Sequence, residues 1–299
     1  SQSESVHTFN IDYKASPQPF PKVGVCRSSQ YKILEYKEIV LLKQINFFHY
    51  RIDLILSIEG WEQEYRYALQ EARLLDFPLE LTLHLSDNFE TECREFIEIQ
   101  RKTGYPEIKL INVFHCERVV TSKPLLEKVV PWLREQFPNA QLGAGTDHFF
   151  TELNRNRIAT EGIDFVTFSI NPQVHAFDNI SLVENLLGQA EVVRSAWHYF
   201  KDIPVHISPV TFKMRHNPNA TSSEGMNKTE SIPPNADARQ MSLFGAGWTL
   251  GSLKYLAEAG AESLTFFETA GLKGLIQGRE PSPDPVQFPA QSNQVFPVY

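Results

Sequence analysis

Segments with the composition of β-strands alternate with helical segments eight times along this chain, and that alternation constrains its fold more than any other feature. The strand segments are residues 23–26, 47–56, 79–86, 108–116, 141–146, 165–170, 205–210 and 263–267. Apolar residues at helical spacing fill most of the segments between them, although only a short polar piece separates the fifth strand from the sixth. Eight such repeats in about 250 residues predict an α/β fold of the (β/α)8, or TIM-barrel, type.

The barrel is predicted to span residues 23–277. Residues 1–22 are polar and lack any period, so we interpret them as a lead-in or as the remnant of a preceding domain. Residues 278–299 are rich in proline and glutamine, which predicts an extended C-terminal tail. The rival fold is an open, doubly wound sheet, which usually carries a glycine-rich phosphate loop after its first strand, whereas this chain has Cys26-Arg27-Ser28-Ser29 there.

Polar and apolar residues alternate within several predicted strands, which is unexpected for parallel strands buried on both faces. In the third strand, leucines occupy positions 79, 81, 83 and 85, whereas Glu80 and His84 lie on the opposite face. The second strand likewise places Arg51 and Asp53 on one face. The leucine face must meet the surrounding helices, so the polar face should point into the barrel. A buried polar group without a partner costs about 1–3 kcal/mol, so these groups either satisfy one another or serve a function.

Titratable and amide side chains near the predicted carboxyl ends of the strands are the candidate site residues, because TIM barrels carry their chemistry at that end. The catalytic candidates are Asp147, Glu268, Glu117, His115 and His175. The substrate-binding candidates are Arg51, His84, Asn171, Gln173, His206, Asn217, Gln240, Glu152, Asn154 and Arg155.

Alternatives stay open for several of these residues. The strand parity of Glu268 leaves its inward direction undecided, and His175 fits a surface loop equally well. The segment with Glu152 and Arg155 is also compatible with a solvated helix start. Early and mid-strand groups fit a purely structural role equally well; they are His49, Asp53 and Glu80.

Carboxylates with neighbouring histidines suit general acid–base hydrolysis. Two carboxylates in unlike environments can differ in pKa, so that one stays ionised while the other holds a proton, and a histidine can relay protons near neutral pH. The sequence contains neither HExxH nor GxSxG, which argues against a zincin-type metallohydrolase and against a serine hydrolase with a nucleophile elbow. We predict no cofactor, although dispersed His, Asp and Glu could still assemble a metal site.

Charge and cysteine content argue against several other classes. The formal net charge is -8 with no cluster of Lys and Arg, so nucleic acid is not expected as a partner. No run of about 18 apolar residues occurs, which predicts no membrane span. Cys26, Cys93 and Cys116 lack CxxC spacing and indicate reduced thiols, not a disulfide framework or zinc site.

A small molecule is the expected partner. The location stays open with the cytoplasm favoured, since a start without methionine indicates a processed or trimmed N-terminus.

Residues 212–237 form a loop of Asn, Ser, Pro and Lys that is too long for a plain connection. Because it follows the seventh strand, we predict that it lies over the barrel mouth as a lid or a specificity wall. A disordered insertion is the alternative.

Four long motifs carry a resemblance to a known family. They are GTDHFFTELNRNR at 145–157, FSINPQVHAFDNISLVENL at 168–186, SPVTFKMRHNPNAT at 208–221 and DARQMSLFGAGWTLGSLKYLAEAGAESLTFFET at 237–269. They resemble the central barrel of the D-apionate lactonase family, over most of residues 20–299. The resemblance implies a (β/α)8 barrel that hydrolyses the lactone of a branched-chain sugar acid. It also implies β-rich regions flanking the barrel, so we expect this chain to be a barrel-only relative or a fragment.

Three hypotheses follow. In the first, a sugar-acid lactonase, Asp147 or Glu268 activates water, His115 or His175 protonates the leaving alkoxide, and Arg51 and Asn171 hold substrate oxygens. In the second, two mouth carboxylates form a glycosidase, although the fourth strand ends in His115-Cys116-Glu117 and the seventh has no acid. In the third, a non-catalytic barrel binds carbohydrate on aromatic side chains, for which the candidates are Phe149, Phe150, Phe267 and Trp248, although Trp248 also fits the core.

Overall fold

Eight parallel strands close into a barrel, as predicted. The computed structural model describes residues 19–104, 107–215 and 231–299. The barrel strands are β1 (Lys22–Cys26), β2 (His49–Ile55), β3 (Leu79–Leu85), β4 (Ile108–His115), β5 (Gln141–Phe149), β6 (Phe165–Ile170), β7 (Val205–Val210) and β8 (Ser263–Ala270). Each strand pairs in parallel with the next, and β1 pairs with β8 to complete the circle. The (β/α)8 prediction is therefore confirmed.

Helices on the outside connect the strands. They are α1 (Tyr36–Lys43), α2 (Trp61–Leu75), α3 (Phe89–Thr103), α4 (Lys123–Gln136), α5 (Phe150–Arg155), α6 (Asn179–Phe200) and α7 (Leu243–Glu258). In α2, residues at helical spacing such as Trp61, Tyr65 and Ala68 face the barrel, because burying that apolar stripe stabilises the helix.

Side-chain caps fix the starts of two helices. Asp178 is the N-cap of α6 and accepts a hydrogen bond from Ser181 N. A 3-10 helix, Ala238–Met241, precedes α7. The break falls at Ser242, whose Oγ accepts from Gly245 N at 3.1 Å and so caps a new helix.

The two faces of the strands point as the alternation predicts. Leu79, Leu81, Leu83 and Leu85 are fully buried in the core between the barrel and the helices. On the other face, Glu80 reaches across the barrel to Ser208 in β7 and Thr265 in β8, so its side chain points inward. Part of the polar interior is therefore a hydrogen-bonded network, whereas Thr167 Oγ1 and His206 Nε2 have no hydrogen-bond partner among the described residues.

The end of β8 is irregular. Val25 pairs with Phe266 and Cys26 with Glu268, so one extra residue, Phe267, bulges out of register with a φ of 50°. Such a bulge changes the direction of the following side chain. It explains why strand parity left Glu268 undecided and why Glu268 reaches the barrel mouth.

A short ninth strand, β9 (Gly274–Ile276), pairs with β8 and was not predicted. The tail that follows it packs on the barrel: Phe288 and Phe296 are buried with Leu272 and Ala236 in a small second cluster. Within the described ranges, no helix is both long and apolar enough to cross a membrane.

Candidate active site

Five charged or titratable side chains meet at the carboxyl end of the barrel, and we refer to them as the rim cluster. They come from β2, β3, β5 and the segment after β7, and they are Arg51, Asp53, His84, Asp147 and Arg215. The residues within strands lie on the polar, inward face of their strand, and Arg215 follows the end of β7. Three of the five, Arg51, His84 and Asp147, are among the candidates named from the sequence.

Arg51 is the buried centre of the rim cluster, with a side chain that is 0% exposed. Its Nη2 lies 2.6 Å from Asp53 Oδ1 and 2.9 Å from Asp147 Oδ1, and its Nη1 donates to Ser208 O at 2.5 Å. A buried guanidinium is stable only when paired and hydrogen-bonded in this way. Arg51 therefore fixes the positions of both carboxylates.

Arg215 approaches the same two carboxylates from the cavity side. Its Nη1 donates to Asp147 Oδ1 at 2.9 Å and its Nη2 to Asp53 Oδ2 at 2.7 Å. The Arg215 side chain is 23% exposed, so part of the guanidinium can meet a ligand. Burial tends to lower its pKa, but Asp147 and then Asp53 raise that pKa above the usual value, so Arg215 stays charged.

His84 lies beside both carboxylates. Its Nε2 is 3.5 Å from Asp53 Oδ1 and 3.9 Å from Asp147 Oδ2, and its ring packs near Phe114. Burial tends to raise the pKa of Asp53, but Arg215 and then Arg51 outweigh that effect and hold this pKa well below its usual range. Asp53 is therefore ionised at neutral pH, and it lies beside an imidazole of the type that serves in general acid–base chemistry.

A layer of hydrogen bonds below the rim cluster supports it. Glu80 accepts from Asn112 Nδ2 at 2.8 Å, from Ser208 Oγ at 2.5 Å and from Thr265 Oγ1 at 2.8 Å. Burial alone would raise the pKa of Glu80, but neighbouring His49 and then Arg51 lower it below its usual value. Because Ser208 Oγ also accepts from Arg51 Nη1 at 2.9 Å, this layer helps to hold the Arg51 side chain.

Two members of the rim cluster, Asp53 and Arg215, line a cavity of about 250 Å³, which we call the mouth cavity. Arg51, His84 and Asp147 contact these two residues but are not among its described lining residues. Its other lining residues include Cys26, Ser29, Phe212, Lys213, Asn235, Asp237, Gln240, Phe267, Glu268 and Lys273. Glu268 accepts from Ser29 N at 2.8 Å and lies 2.8 Å from Lys273 Nζ. Burial raises the pKa of the Cys26 thiol, so it is not a thiolate nucleophile at neutral pH.

Gln173 and Gln240, two predicted binding residues, support this cavity. Gln173 is buried, and its Nε2 donates to Phe212 O and to Asp237 Oδ2. Gln240 lines the cavity and donates to Gly274 O at 2.9 Å. Asn217 and most of the predicted 212–237 lid lie outside the described residues. The two ends of that loop, at Arg215 and Asn235, line the mouth cavity.

Several predicted catalytic and binding residues lie apart from the rim cluster. His115 pairs with exposed Asp87 at 3.2 Å, and exposed Glu117 donates its backbone N–H to His115 Nδ1. Asn171 and His175 line a different cavity. On α5, Arg155 pairs with Glu152 at 3.3 Å while Asn154 is exposed, as expected for a solvated helix start.

The structure corrects the predicted position of His206, which we had expected near the carboxyl end of a strand. It is the second residue of β7, pairs in register with Ser263 at the start of β8, and lies at the amino end of the barrel. Its ring stacks on Phe165 with centroids 3.9 Å apart. In this position it cannot contact a ligand in the mouth cavity.

The buried position of His206 predicts acid sensitivity. Burial lowers its pKa from 6.5 to about 3. Between these values the unfolded chain binds a proton that the folded protein does not, so the free energy of unfolding falls by about 1.4 kcal/mol per pH unit from about pH 6 to pH 4. Urea denaturation at pH 7, 5 and 4 should show a shallower pH dependence for His206→Gln than for the unaltered protein. Identical dependence in both would contradict this assignment.

Two residues of the rim cluster were missing from the predicted site. Asp53 was noticed on the polar face of its strand but was interpreted as equally compatible with a structural role. Arg215 was not named, because nothing in a loop sequence shows which side chain turns back to the barrel. The common polar face of Arg51 and Asp53 was the signal that could have identified Asp53.

The acidic and imidazole groups of the rim cluster could also hold a cation. Asp53, His84 and Asp147 each offer a ligand atom, and these atoms lie within 4.8 Å of one another. However, Arg51 and Arg215 already neutralise both carboxylates at 2.6–2.9 Å. A divalent cation would have to displace at least one guanidinium against charge repulsion, so the donor set fits a metal poorly.

A parallel (β/α)8 barrel with a charged site at the carboxyl ends of its strands places this protein among the TIM-barrel proteins that carry their site at that end. The chain belongs to the family described as D-apionate lactonase, TIM barrel domain, whose model matches residues 23–299. The predicted resemblance is thereby confirmed.

Comparison with individual proteins agrees with this family assignment. The chain is 37% identical over 156 residues to D-apionate lactonase of Brucella anthropi; this covers 52% of the chain and 26% of that protein, about a quarter of its length. Among solved structures it resembles AbfB, a family 51 α-L-arabinofuranosidase from Bifidobacterium longum, with a TM-score of 0.57, 11% identity, and coverage of 87% of this chain and 70% of that one. It also resembles a β-glucuronidase from Ruminococcus gnavus in complex with D-glucaro 1,5-lactone, with a TM-score of 0.56, 8% identity, and coverage of 87% of this chain and 47% of that one. At such identities these structures share the fold alone.

Proposed function

We propose that this barrel hydrolyses a carbohydrate-derived lactone, the cyclic ester of a sugar acid, in the mouth cavity. The observation that carries the proposal is the rim cluster, in which an imidazole and two carboxylates lie beside two guanidinium groups, with Asp53 and Arg215 lining the mouth cavity. The family match and the D-apionate lactonase relative support a lactone as the substrate class.

Arg215 is the residue that we assign to the lactone carbonyl. Its guanidinium faces the mouth cavity, and Asp53 and Asp147 hold it from behind. Donors fixed in advance toward an oxygen that gains negative charge stabilise the transition state of acyl transfer. The same guanidinium can then pair with the carboxylate of the product.

His84 is the group that we assign to proton transfer. Its Nε2 lies 3.5 Å from Asp53 and 3.9 Å from Asp147, and we place the attacking water beside this imidazole. His84 takes a proton from this water while the water oxygen adds to the carbonyl carbon. As the ring C–O bond breaks, the imidazolium returns the proton to the ring oxygen, which gives the hydroxy acid. Ionised Asp53 stabilises the imidazolium between the two steps.

Other lining residues of the mouth cavity offer groups for sugar hydroxyls. Glu268 lies there with Ser29 and Lys273, and all three line the cavity. A carboxylate, a hydroxyl and an ammonium provide both acceptors and donors, as recognition of a polyol requires.

The direct test is hydrolysis of a panel of aldonolactones, followed by acid release at constant pH. We expect turnover of at least one five-membered or six-membered sugar lactone. Because Arg215 contacts the substrate before and during the reaction, Arg215→Met should raise KM by about tenfold, equivalent to about 1.4 kcal/mol of binding. Arg118→Met is the matched control, since exposed Arg118 pairs only with exposed Asp87 among the residues described here. Failure of the protein to hydrolyse any lactone of the panel would refute the proposal.

A glycosidase is the second candidate, and one observation favours it. Oxygens of Asp53 and Asp147 lie within 4.8 Å of each other, near the separation of about 5–5.5 Å in retaining enzymes. Such an enzyme also needs one carboxyl group with a raised pKa as its acid, whereas the pKa of Asp53 is lowered and Asp147 accepts from two arginines. Release of p-nitrophenol from aryl glycosides, with no lactone turnover, would favour this candidate instead.

A further inference from the structure

A second cavity lies beside the barrel, between the ends of β5 and β6 and the helix α6, and we call it the α6 cavity. Its volume is about 430 Å³, within the range of about 300–1,000 Å³ typical of ligand pockets. None of its described lining residues also lines the mouth cavity. It is therefore a separate place for a ligand, and the mechanism above makes no use of it.

The described lining of the α6 cavity carries no Asp, Glu, Lys or Arg side chain. Its titratable member is His175, which is exposed at the rim. An ion that entered this cavity would lose its hydration, and no charged side chain in the described lining would compensate for that loss. The occupant that fits is a neutral molecule.

Two residues that line the α6 cavity each carry a buried amide atom with no hydrogen-bond partner among the described residues: Asn171 Oδ1, an acceptor, and Gln189 Nε2, a donor. Gln189 is buried, and its Oε1 accepts from Ser252 Oγ at 2.6 Å, which fixes how its amide is turned. Leaving such an atom buried and unpaired is unfavourable. A hydroxyl group both donates and accepts, so a hydroxyl-bearing ligand satisfies this acceptor and this donor together.

Apolar groups complete the α6 cavity. Phe149 is half-buried at its wall, and Ile170, Pro172 and Val192 add aliphatic surface. A sugar ring presents C–H groups on its faces and hydroxyls on its edge, which matches apolar walls combined with polar amides. From these observations we propose that the α6 cavity binds a neutral, hydroxyl-rich small molecule with the size and chemistry of a neutral monosaccharide.

Two glycines provide matched variants for the test. Gly188 lines the α6 cavity, and a Cβ added there meets nothing within 4 Å, so Gly188→Phe should fill the cavity without disturbing the backbone. Gly247 in α7 is also exposed and equally open, but it lines neither cavity. Both changes replace a helical glycine, so their effects on intrinsic helix propensity are alike.

Binding should be measured by saturation-transfer NMR and calorimetry with D-xylose and D-glucose as neutral probes and D-gluconate as an anionic one. We expect saturable binding of a neutral probe with a Kd on the order of 1 mM, and weaker binding by about tenfold in Gly188→Phe and in Asn171→Ala. Gly247→Phe should bind as the unaltered protein does. No saturable binding, binding of gluconate alone, or equal binding by Gly188→Phe would overturn the proposal. Neutral-sugar binding should persist in His84→Asn, so this test is independent of lactone hydrolysis.

Discussion

Replacing Arg51 with methionine should lower the free energy of unfolding by about 3–5 kcal/mol, since breaking a buried ion pair leaves an uncompensated charge. Arg51 is fully buried and donates to Asp53, Asp147 and Ser208. Methionine has a similar length but no charge, so it fills space without compensating the carboxylates. Because Arg215 still contacts both, the loss should fall toward the lower end of that range. Urea denaturation at pH 7 measures it.

The control for this prediction is Arg155→Met. Arg155 is exposed and pairs with Glu152 at 3.3 Å, so its loss should change the unfolding free energy by no more than about 0.5 kcal/mol. A change of similar size in both variants would mean that the rim cluster does not depend on Arg51. It would also remove the physical reason for placing both carboxylates at fixed positions in the site.

The strand faces were predictable because the alternation has a period of two and one face must meet the helices. The pattern of β3 therefore gave the inward direction of Glu80 and His84 without any structure. The alternation does not predict the height of a side chain along the barrel axis, because that height depends on how far each strand is staggered against its neighbours. His84 and His206 share an inward direction, but His84 reaches the rim cluster while His206 lies at the amino end.

Positions beyond the regular strands were not predictable from periodicity. The bulge at Phe267 redirects Glu268 into the mouth cavity, against the simple parity of β8. Asn171 follows β6 in the same parity as Ser169, but the chain turns there and the side chain lines the α6 cavity. Arg215 returns to the barrel from an irregular segment, where side-chain direction depends on contacts that are distant in sequence.

The charge balance of the rim cluster bears on the choice of reaction. Two guanidinium groups face two carboxylates, so the cluster without His84 is close to neutral. With the pKa of Asp53 lowered, this carboxylate is poorly suited to donate a proton near neutral pH. The imidazole of His84 is then the group of the rim cluster to which we assign proton transfer.

Replacing His84 with asparagine should therefore reduce kcat for lactone hydrolysis by about 10²–10⁴-fold, the usual contribution of a general acid–base group. Asparagine can still hydrogen-bond near Asp53 and Asp147 but cannot take up and return a proton. A purely structural role of His84 would instead lower the thermal stability of the variant together with its kcat. Thermal unfolding of the variant checks that its fold persists.

The matched control is His115→Asn, because His115 is a buried histidine on the adjacent strand β4 that pairs with Asp87 away from the rim cluster. We expect the His115→Asn variant to retain the kcat of the unaltered protein. If His84→Asn kept its activity while His115→Asn lost it, proton transfer would have to be assigned to the end of β4 and the mouth cavity would lose its central role. A loss in both variants would point to the inner packing of β3 and β4 as the common cause, since Leu85 and His115 pair in register.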